Sequence, residues 1–277
     1  YSFDFYPVKR GEAMPSQLMR TSAVFAFLIS LLFTGVSFAS TSTGSSRMLQ
    51  ADTFKSTTTS LPDLKKYPSG TQRKKAFLNV IVPIIDNINN KILRDREWLT
   101  AQRKAQHWGS ADLKKLREIC QYYGVTCTSP KKVNWDSLLA RVDIIPTHFV
   151  ATQAATESGW GTSKLAQQNN NLFGMRCGNR SCNNVPGKTK GYAAYPDIEG
   201  SVIAYMRNLN THRAYNSLRS SRAQQRMTQQ QLDPRQLITD LKGYSELGSS
   251  YNDYLTEMFD SNKKLITQVQ LQSKRES

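Results

Sequence analysis

The feature that most constrains the fold is an apolar stripe. Phe77, Val80, Ile81, Ile84, Ile85, Ile88 and Ile92 recur at three- and four-residue steps, which is the period of one helical face. A long helix is therefore predicted from Thr71 to about His107, with Pro83 as a candidate kink. Leu113, Leu116 and Ile119 repeat the pattern over Ala111 to Tyr123, and Gly124 ends it. Asn134-Trp135-Asp136 opens a third helix that closes before Asp143, and Pro146 suits the first turn of a fourth, carrying Phe149, Val150, Gln153 and Ala154 at helical spacing. A short helix from Ser163, then Asp197 to Leu209, Pro234 to Leu241 and Asn252 to Phe259, also read as helical. Met175 to Tyr195 differs in kind: it is rich in Gly, Asn and Lys, and is read as a small β-hairpin lobe. The expected class is α+β, mainly α, with no repeat of solenoid period.

The start of the chain reads as an address. From Met14 to Ala39, Arg20 is the charged flank, Ala23 to Phe33 the apolar run, and Ser37-Phe38-Ala39 a small-x-small cleavage site, as in a secretory signal. The run is short for a membrane span, which needs about 20 apolar residues. An uncleaved anchor is the alternative, since Val36 to Ala39 lengthens it. The organisation expected is upstream residues 1–13, a signal over 14–39, a Ser/Thr-rich linker over 40–60, a helical extension over 61–143, a main domain over 144–262 and a basic tail over 263–277. No membrane span is expected after cleavage, and a monomer is expected.

Charge and cysteines narrow the partner and the compartment. The 37 Lys and Arg exceed the 21 Asp and Glu, giving a net +16, and removal of residues 1–39 lowers that by only one. An anionic partner is implied. Nucleic acid is disfavoured, because the signal exports the chain and no recognition motif accompanies the charge. Cys120 lies close to Cys127 and Cys177 close to Cys182, which in an exported protein suggests two small disulfide loops. Neither pair has the spacing of a zinc knuckle and the chain holds three histidines, so no metal and no cofactor is expected.

The chemistry centres on Ala154-Ala155-Thr156-Glu157-Ser158-Gly159-Trp160-Gly161. A carboxyl group at the end of an apolar helix, with two glycines turning the chain away, is a place to hold a proton. Burial against Trp160 would favour the neutral acid. The same residues also fit an ordinary helix C-terminus, with Gly159 as the stop. Downstream, Ser163, Ala166 and Asn171-Leu172-Phe173-Gly174 complete a longer pattern. The stretch from Glu157 to Gly174 resembles the signature of the bacterial glucosaminidase family, glycoside hydrolase family 73. A second block, Gly243-Tyr244-Ser245-Glu246-Leu247-Gly248-Ser249-Ser250-Tyr251, is similar to the family's Gly-Tyr turn and the Tyr that opens its last helix.

The resemblance spans about Ile145 to Phe259 and implies a lysozyme-like domain that hydrolyses peptidoglycan after N-acetylglucosamine. Together with the extension it is similar to periplasmic members of the family in enteric bacteria. It implies Glu157 as general acid, Tyr244 beside the reacting sugar carbon, and Asn171, Phe173 and Tyr251 at the substrate cleft. The second carboxylate of glycosidase chemistry is hard to place, since Ser158 to Pro196 contains no Asp or Glu. The candidates are Asp197, Glu199 and Glu246, of which Asp197 and Glu199 equally suit the start of a helix. Without one, the sugar's own acetamido group, a carboxylate from Asp233, Asp240 or Glu246 that moves in as substrate closes the cleft, or Glu157 acting alone as in a lytic transglycosylase on the muramyl bond, would serve. A wall-binding module without activity is the alternative from another class.

Overall fold

The computed structural model describes residues 61–105, 107–177, 187–228, 231–241 and 249–276. The expected signal and linker, and the candidates Tyr244, Glu246 and Cys182, lie outside the described residues. The described chain is mainly helical: α1 (Thr71–Gln102), α2 (Ser110–Tyr123), α3 (Trp135–Arg141), α4 (Thr147–Ser158), α5 (Lys164–Asn169), α6 (Ile198–Thr211), α7 (Asn216–Thr228), α8 (Pro234–Thr239) and α9 (Ser249–Glu276). No helix among these residues is long and apolar enough to cross a membrane.

The stripe that predicted α1 is its buried face: Phe77, Ile81, Ile85 and Ile88 are closed from solvent, and the helix continues through Pro83. It stops at Gln102 rather than near His107. Helix α9 runs well past Phe259, because Leu255, Phe259, Asn262, Ile266 and Val269 line one face at four- and three-residue steps and are all buried. What read as a basic tail is thus mostly the second half of a packed helix. One apolar core runs from Leu61 to Val269.

Helix α4 lies at the centre, packed between α1 and α9. It is buried almost all round, from Thr147 and Phe149 through Ala151, Ala154 and Ala155 to Ser158, as expected of a helix without a solvated face. Its entry is held by polar groups rather than by apolar packing. Asp143, 1% exposed, accepts from Nε and Nη2 of Arg226 at 3.1 and 2.8 Å. Arg96 lies 3.6 Å and Arg222 3.9 Å from the same carboxylate. These arginines also donate to main-chain carbonyls: Arg222 to Ala140, Asp143 and Ile144, and Arg96 to Leu139 and Val142. Asn89 of α1 exchanges hydrogen bonds with the Ile145 backbone, at 2.8 Å as donor and 3.2 Å as acceptor. Thr147 donates to Asp86, which also accepts from Gln270 of α9.

Of the expected β-hairpin lobe, residues 178–186 lie outside the described residues, and the described part contains one antiparallel bridge, Arg176 with Tyr192. Asparagine side chains span the rest. Asn169 and Asn171 both donate to the Ala193 carbonyl, Asn170 donates to those of Tyr195 and Pro196, and Asn169 accepts from the Thr189 amide. Helix α7 was not foreseen. Its buried face is Leu218, Arg219, Arg222 and Gln225, so no apolar period announces it. Cys120 and Cys127 form a disulfide that closes the turn after α2, with Cα atoms 6.1 Å apart. Cys177 is also disulfide-bonded.

The Asp143 cluster sets how the fold answers to acid. Burial by itself would push this carboxyl up. The Arg226 hydrogen bonds and the charges of Arg222 and Arg96 together outweigh it and hold the group below its ordinary range. A carboxylate lowered in the folded state stabilises fully above its unfolded value, about 3.9, and ceases to do so as pH falls through the lower folded value. Asp143→Asn strands three guanidinium groups, and is expected to cost about 3–5 kcal/mol in urea unfolding at pH 7. The gap from wild type should be constant above about pH 5 and shrink below about pH 4.

Candidate functional site

Glu157 occupies the last turn of α4 and is half-buried. One turn earlier on the same face, Gln153 is fully buried. The Tyr251 hydroxyl, in the first turn of α9, donates to Oε1 of Glu157 at 2.6 Å and accepts from Nε2 of Gln153 at 3.3 Å. Two further phenols stand around this carboxyl group. Burial pushes Tyr205 well above the ordinary phenol range, and the charges of Tyr251, Tyr215 and Glu157 add to it. Burial likewise raises Tyr215, against a hydrogen bond with Asn208, and the Glu157 charge raises it further. Both stay protonated at any pH where a carboxyl group titrates.

The turn after Glu157 explains how the carboxyl group is aimed. Gly159 caps α4 in the left-handed conformation, φ 57°, and its amide bonds the Ala155 carbonyl. Ser158 Oγ donates to the Ala154 carbonyl at 2.5 Å and accepts from the Gly161 amide at 2.8 Å. Trp160 also has positive φ, 56°. Its ring meets Phe77 edge-on at 5.9 Å and lies under the Lys74 ammonium at 4.9 Å. Gly161 has φ +75°, and a Cβ there would come 2.5 Å from Leu64, 2.9 Å from Phe77 and 3.1 Å from Leu61. The Gly-Trp-Gly run therefore clamps the end of the Glu157 helix onto the segment that leads into α1.

The other residues singled out by sequence fall in distinct places. Tyr251 meets Glu157 directly. Asn171 and Phe173 are buried and offer solvent almost no side-chain surface. Asn171 donates to the carbonyls of Met175 and Ala193 and accepts from the amides of Phe173 and Met175. Phe173 stacks on Tyr205 with ring centroids 3.8 Å apart and planes at 3°, so it backs the phenol that feels the Glu157 charge. Asp197 caps α6, accepting from the Gly200 amide at 2.7 Å, and Glu199 pairs with Lys91 at 3.9 Å. Asp233 caps α8, and Asp240 accepts from Ser221 and Gln236. Sequence reasoning passed over Gln153, Tyr205 and Tyr215 as site residues. The four-residue step from Gln153 to Glu157 was a usable signal; nothing local marks the two tyrosines. Among the described residues no three His, Cys, Asp or Glu side chains gather to hold a metal ion.

Comparison with known proteins bears on this arrangement. The sequence model of the glucosaminidase family, described as mannosyl-glycoprotein endo-beta-N-acetylglucosaminidase, matches residues 133–264. The curated protein called Protein bax, from Escherichia coli strain K12, is 51% identical over 208 residues, covering 75% of this chain and 76% of that protein. No solved structure matches.

Two glycines of the turn region separate strain from crowding. Gly161→Ala adds a methyl group into Leu64 and Phe77 at a positive φ, whereas Gly174 has positive φ, 64°, with nothing within 4 Å. Gly174→Ala is expected to cost about 1 kcal/mol from backbone strain alone. Gly161→Ala should cost about 2–4 kcal/mol, because overpacking of the core adds to that strain, as read from paired urea unfolding curves.

Proposed function

Because this chain belongs to the glucosaminidase family, we propose that it is an exported, periplasmic peptidoglycan hydrolase that cuts the β-1,4 bond after N-acetylglucosamine, with Glu157 as general acid. The observation that carries the reading is the Glu157 carboxyl group fixed by the Tyr251 hydroxyl at the open end of an otherwise sealed helix. A glycosidic oxygen leaves readily only if it is protonated as the bond breaks. Tyr251 fixes the plane of the donor group. The neutral phenols of Tyr205 and Tyr215 give it polar surroundings that do not change charge near neutral pH. The net positive charge suits an anionic wall polymer, and the Cys120–Cys127 disulfide suits an oxidising compartment. Residues 144–262 form the lysozyme-like catalytic part in this reading, and 61–143 its helical extension.

Tyr244 and Glu246, on the segment that leads to Tyr251, complete the proposed cleft, with Tyr244 beside the oxocarbenium-like carbon. A second reading is favoured by one observation. Asp197 is committed to capping and Glu199 to Lys91, so of the three candidates for the carboxylate on the far side of the sugar neither of the two described ones is free to serve. In the acetamido-assisted route the sugar's own carbonyl oxygen attacks C1 and water then opens the ring intermediate. In the transglycosylase route Glu157 first protonates the departing glycosidic oxygen as its bond to C1 breaks, and the resulting carboxylate takes the proton of the muramyl 6-hydroxyl as that oxygen bonds C1 and forms the anhydro end. Mass spectrometry of digested sacculi distinguishes them: reducing N-acetylglucosamine ends support the first, anhydro-muramyl ends the second.

Glu157→Gln keeps the shape and removes the proton. Release of reducing ends from purified sacculi should fall by about 10²–10⁴-fold with the unfolding midpoint unchanged. Turnover equal to wild type would refute the assignment. Tyr251→Phe removes a hydrogen bond to a charged group, about 1.5–3 kcal/mol, and should lower kcat about tenfold to a hundredfold while KM changes little. An effect confined to KM would place Tyr251 in substrate binding instead.

A further inference from the structure

A cavity of about 460 Å³ lies where the outer face of α1 meets the end of α7, lined by Leu93, Arg96, Glu97, Thr100, Ala101, Lys104 and Arg226. None of these residues belongs to the Glu157 constellation. Leu93 and Ala101 give it an apolar wall, and Thr100 Oγ1 is turned back onto the Arg96 carbonyl. Three of its seven lining side chains are cationic and one is acidic. Behind it stands the Asp143 cluster, in which Arg96, Arg222 and Arg226 surround one carboxylate.

The hydrogen-bond inventory of the two guanidinium groups is incomplete in a way that points into the cavity. A guanidinium has five N–H donors. Arg226 directs Nε and Nη2 to Asp143, and Arg96 directs Nη1 to the Leu139 and Val142 carbonyls. Nη1 of Arg226, and Nε and Nη2 of Arg96, meet no protein acceptor among the described residues. Lys104 makes no ion pair there either. Arg96 and Arg226, 21% and 24% exposed, both line the cavity, while the Asp143 carboxylate is 2% exposed and does not. The Arg226 guanidinium is held by that buried carboxylate and the Arg96 guanidinium by the Leu139 and Val142 carbonyls, which lowers the ordering cost of a new contact. Fixed forks of this kind match a planar carboxylate.

We propose that this groove is a second, non-catalytic site that binds a carboxylate group of the wall polymer, Arg96 and Arg226 supplying the fork, Lys104 a mobile charge at the rim, and Leu93 and Ala101 the apolar surface beside it. The identity of the polymer rests on the hydrolase reading above; the carboxylate chemistry does not. The site tethers the enzyme to an uncleaved stretch of glycan while Glu157 works elsewhere on the strand. Glu97 opposes the anion and limits its affinity, so that the tether releases.

The full chain carrying Glu157→Gln, which binds without cutting, is titrated by calorimetry with N-acetylmuramic acid, which bears a carboxylate, with neutral N-acetylglucosamine, and with inorganic phosphate. Binding of N-acetylmuramic acid should weaken at least about fivefold with Lys104→Glu and tighten about twofold with Glu97→Gln, and should weaken with added salt. N-acetylglucosamine affinity should be the same in all three proteins. Lys104 and Glu97 are exposed and unpaired among the described residues, so both variants keep the parent unfolding midpoint. N-acetylmuramic acid binding that is indifferent to both substitutions overturns the proposal, and so does phosphate binding as tightly as N-acetylmuramic acid, which would make this a general anion site. Hydrolysis is read separately, as release of reducing ends from sacculi by the wild type against Glu157→Gln, so failure of the tether and failure of the catalytic assignment give different results.

Discussion

The buried carboxylate of Asp143 is the interaction on which the rest of the structure depends. Helix α4 must run through the middle of the protein and still bring a carboxyl group to the surface at its far end. A helix buried on every side can slide or rotate between neighbours unless something specific fixes it. Apolar packing of Ala151, Ala154 and Ala155 is smooth and gives little register. Register comes instead from the polar knot at the entry to the helix, where α1, α6, α7 and α9 all contribute a partner: Arg96 and Asn89, Asn210, Arg222 and Arg226, and Gln270. Ion pairs of this kind are weak evidence for net stability but strong constraints on geometry, since removing one partner leaves a buried charge. At the other end the Gly-Trp-Gly turn closes against Leu61, Leu64 and Phe77. Glu157 is placed by both ends of its helix, not by its immediate neighbours alone.

The Asn169-Asn170-Asn171 run solves a related problem without a sheet. The segments around Met175 and Ala193 approach as two strands would, with Ala193 N–H on the Met175 carbonyl at 2.9 Å and Cys177 N–H on the Gly191 carbonyl at 3.1 Å. A backbone so close to the core must have its carbonyls satisfied. Amide side chains carry both donor and acceptor and can reach two strands at once. Asn171 uses both ends of its amide in this way, and Phe173 is thereby held flat against Tyr205. The motif that marks the family works here chiefly as scaffold for the wall behind Glu157.

Much of this was legible in the sequence wherever burial is apolar. The stripe from Phe77 to Ile92 gave α1, and Gly124, Pro146 and Gly159 marked helix ends that are helix ends in the structure. Glu157 at the close of the Pro146 helix was read correctly as a position. Asp197 shows its capping role in its spacing to Gly200. What escaped was burial by polar groups. Helix α7 buries Arg219 and Arg222, residues that a hydropathy pattern assigns to solvent. The second half of α9 read as a partly helical basic tail because Lys263, Lys264, Lys274 and Arg275 obscured the period of the buried Ile266 and Val269. Of the expected hairpin only the flanks fall among the described residues: Arg176 and Tyr192 pair antiparallel, and Asn169 and Asn171 hold the Ala193 carbonyl beside them.

The composition of the Glu157 surroundings carries a final argument. A second carboxylate close by would couple to the first, so that neither would titrate alone. Phenols avoid that. Tyr205 and Tyr215, pushed upward by burial and by the Glu157 charge, are dipoles and not charges throughout the neutral and acid range. They can solvate a carboxyl group in either protonation state without adding a titration of their own. The cost is visible in Tyr205, whose hydroxyl is buried and meets no acceptor among the described residues, a deficit of about 1–3 kcal/mol for such a group. A fold that needed only to be stable would place phenylalanine there, stacked on Phe173 as the tyrosine is. The hydroxyl is kept, without an acceptor among the described residues, within the field of Glu157, which supports the proposed acid role of that carboxyl group over a role in packing alone.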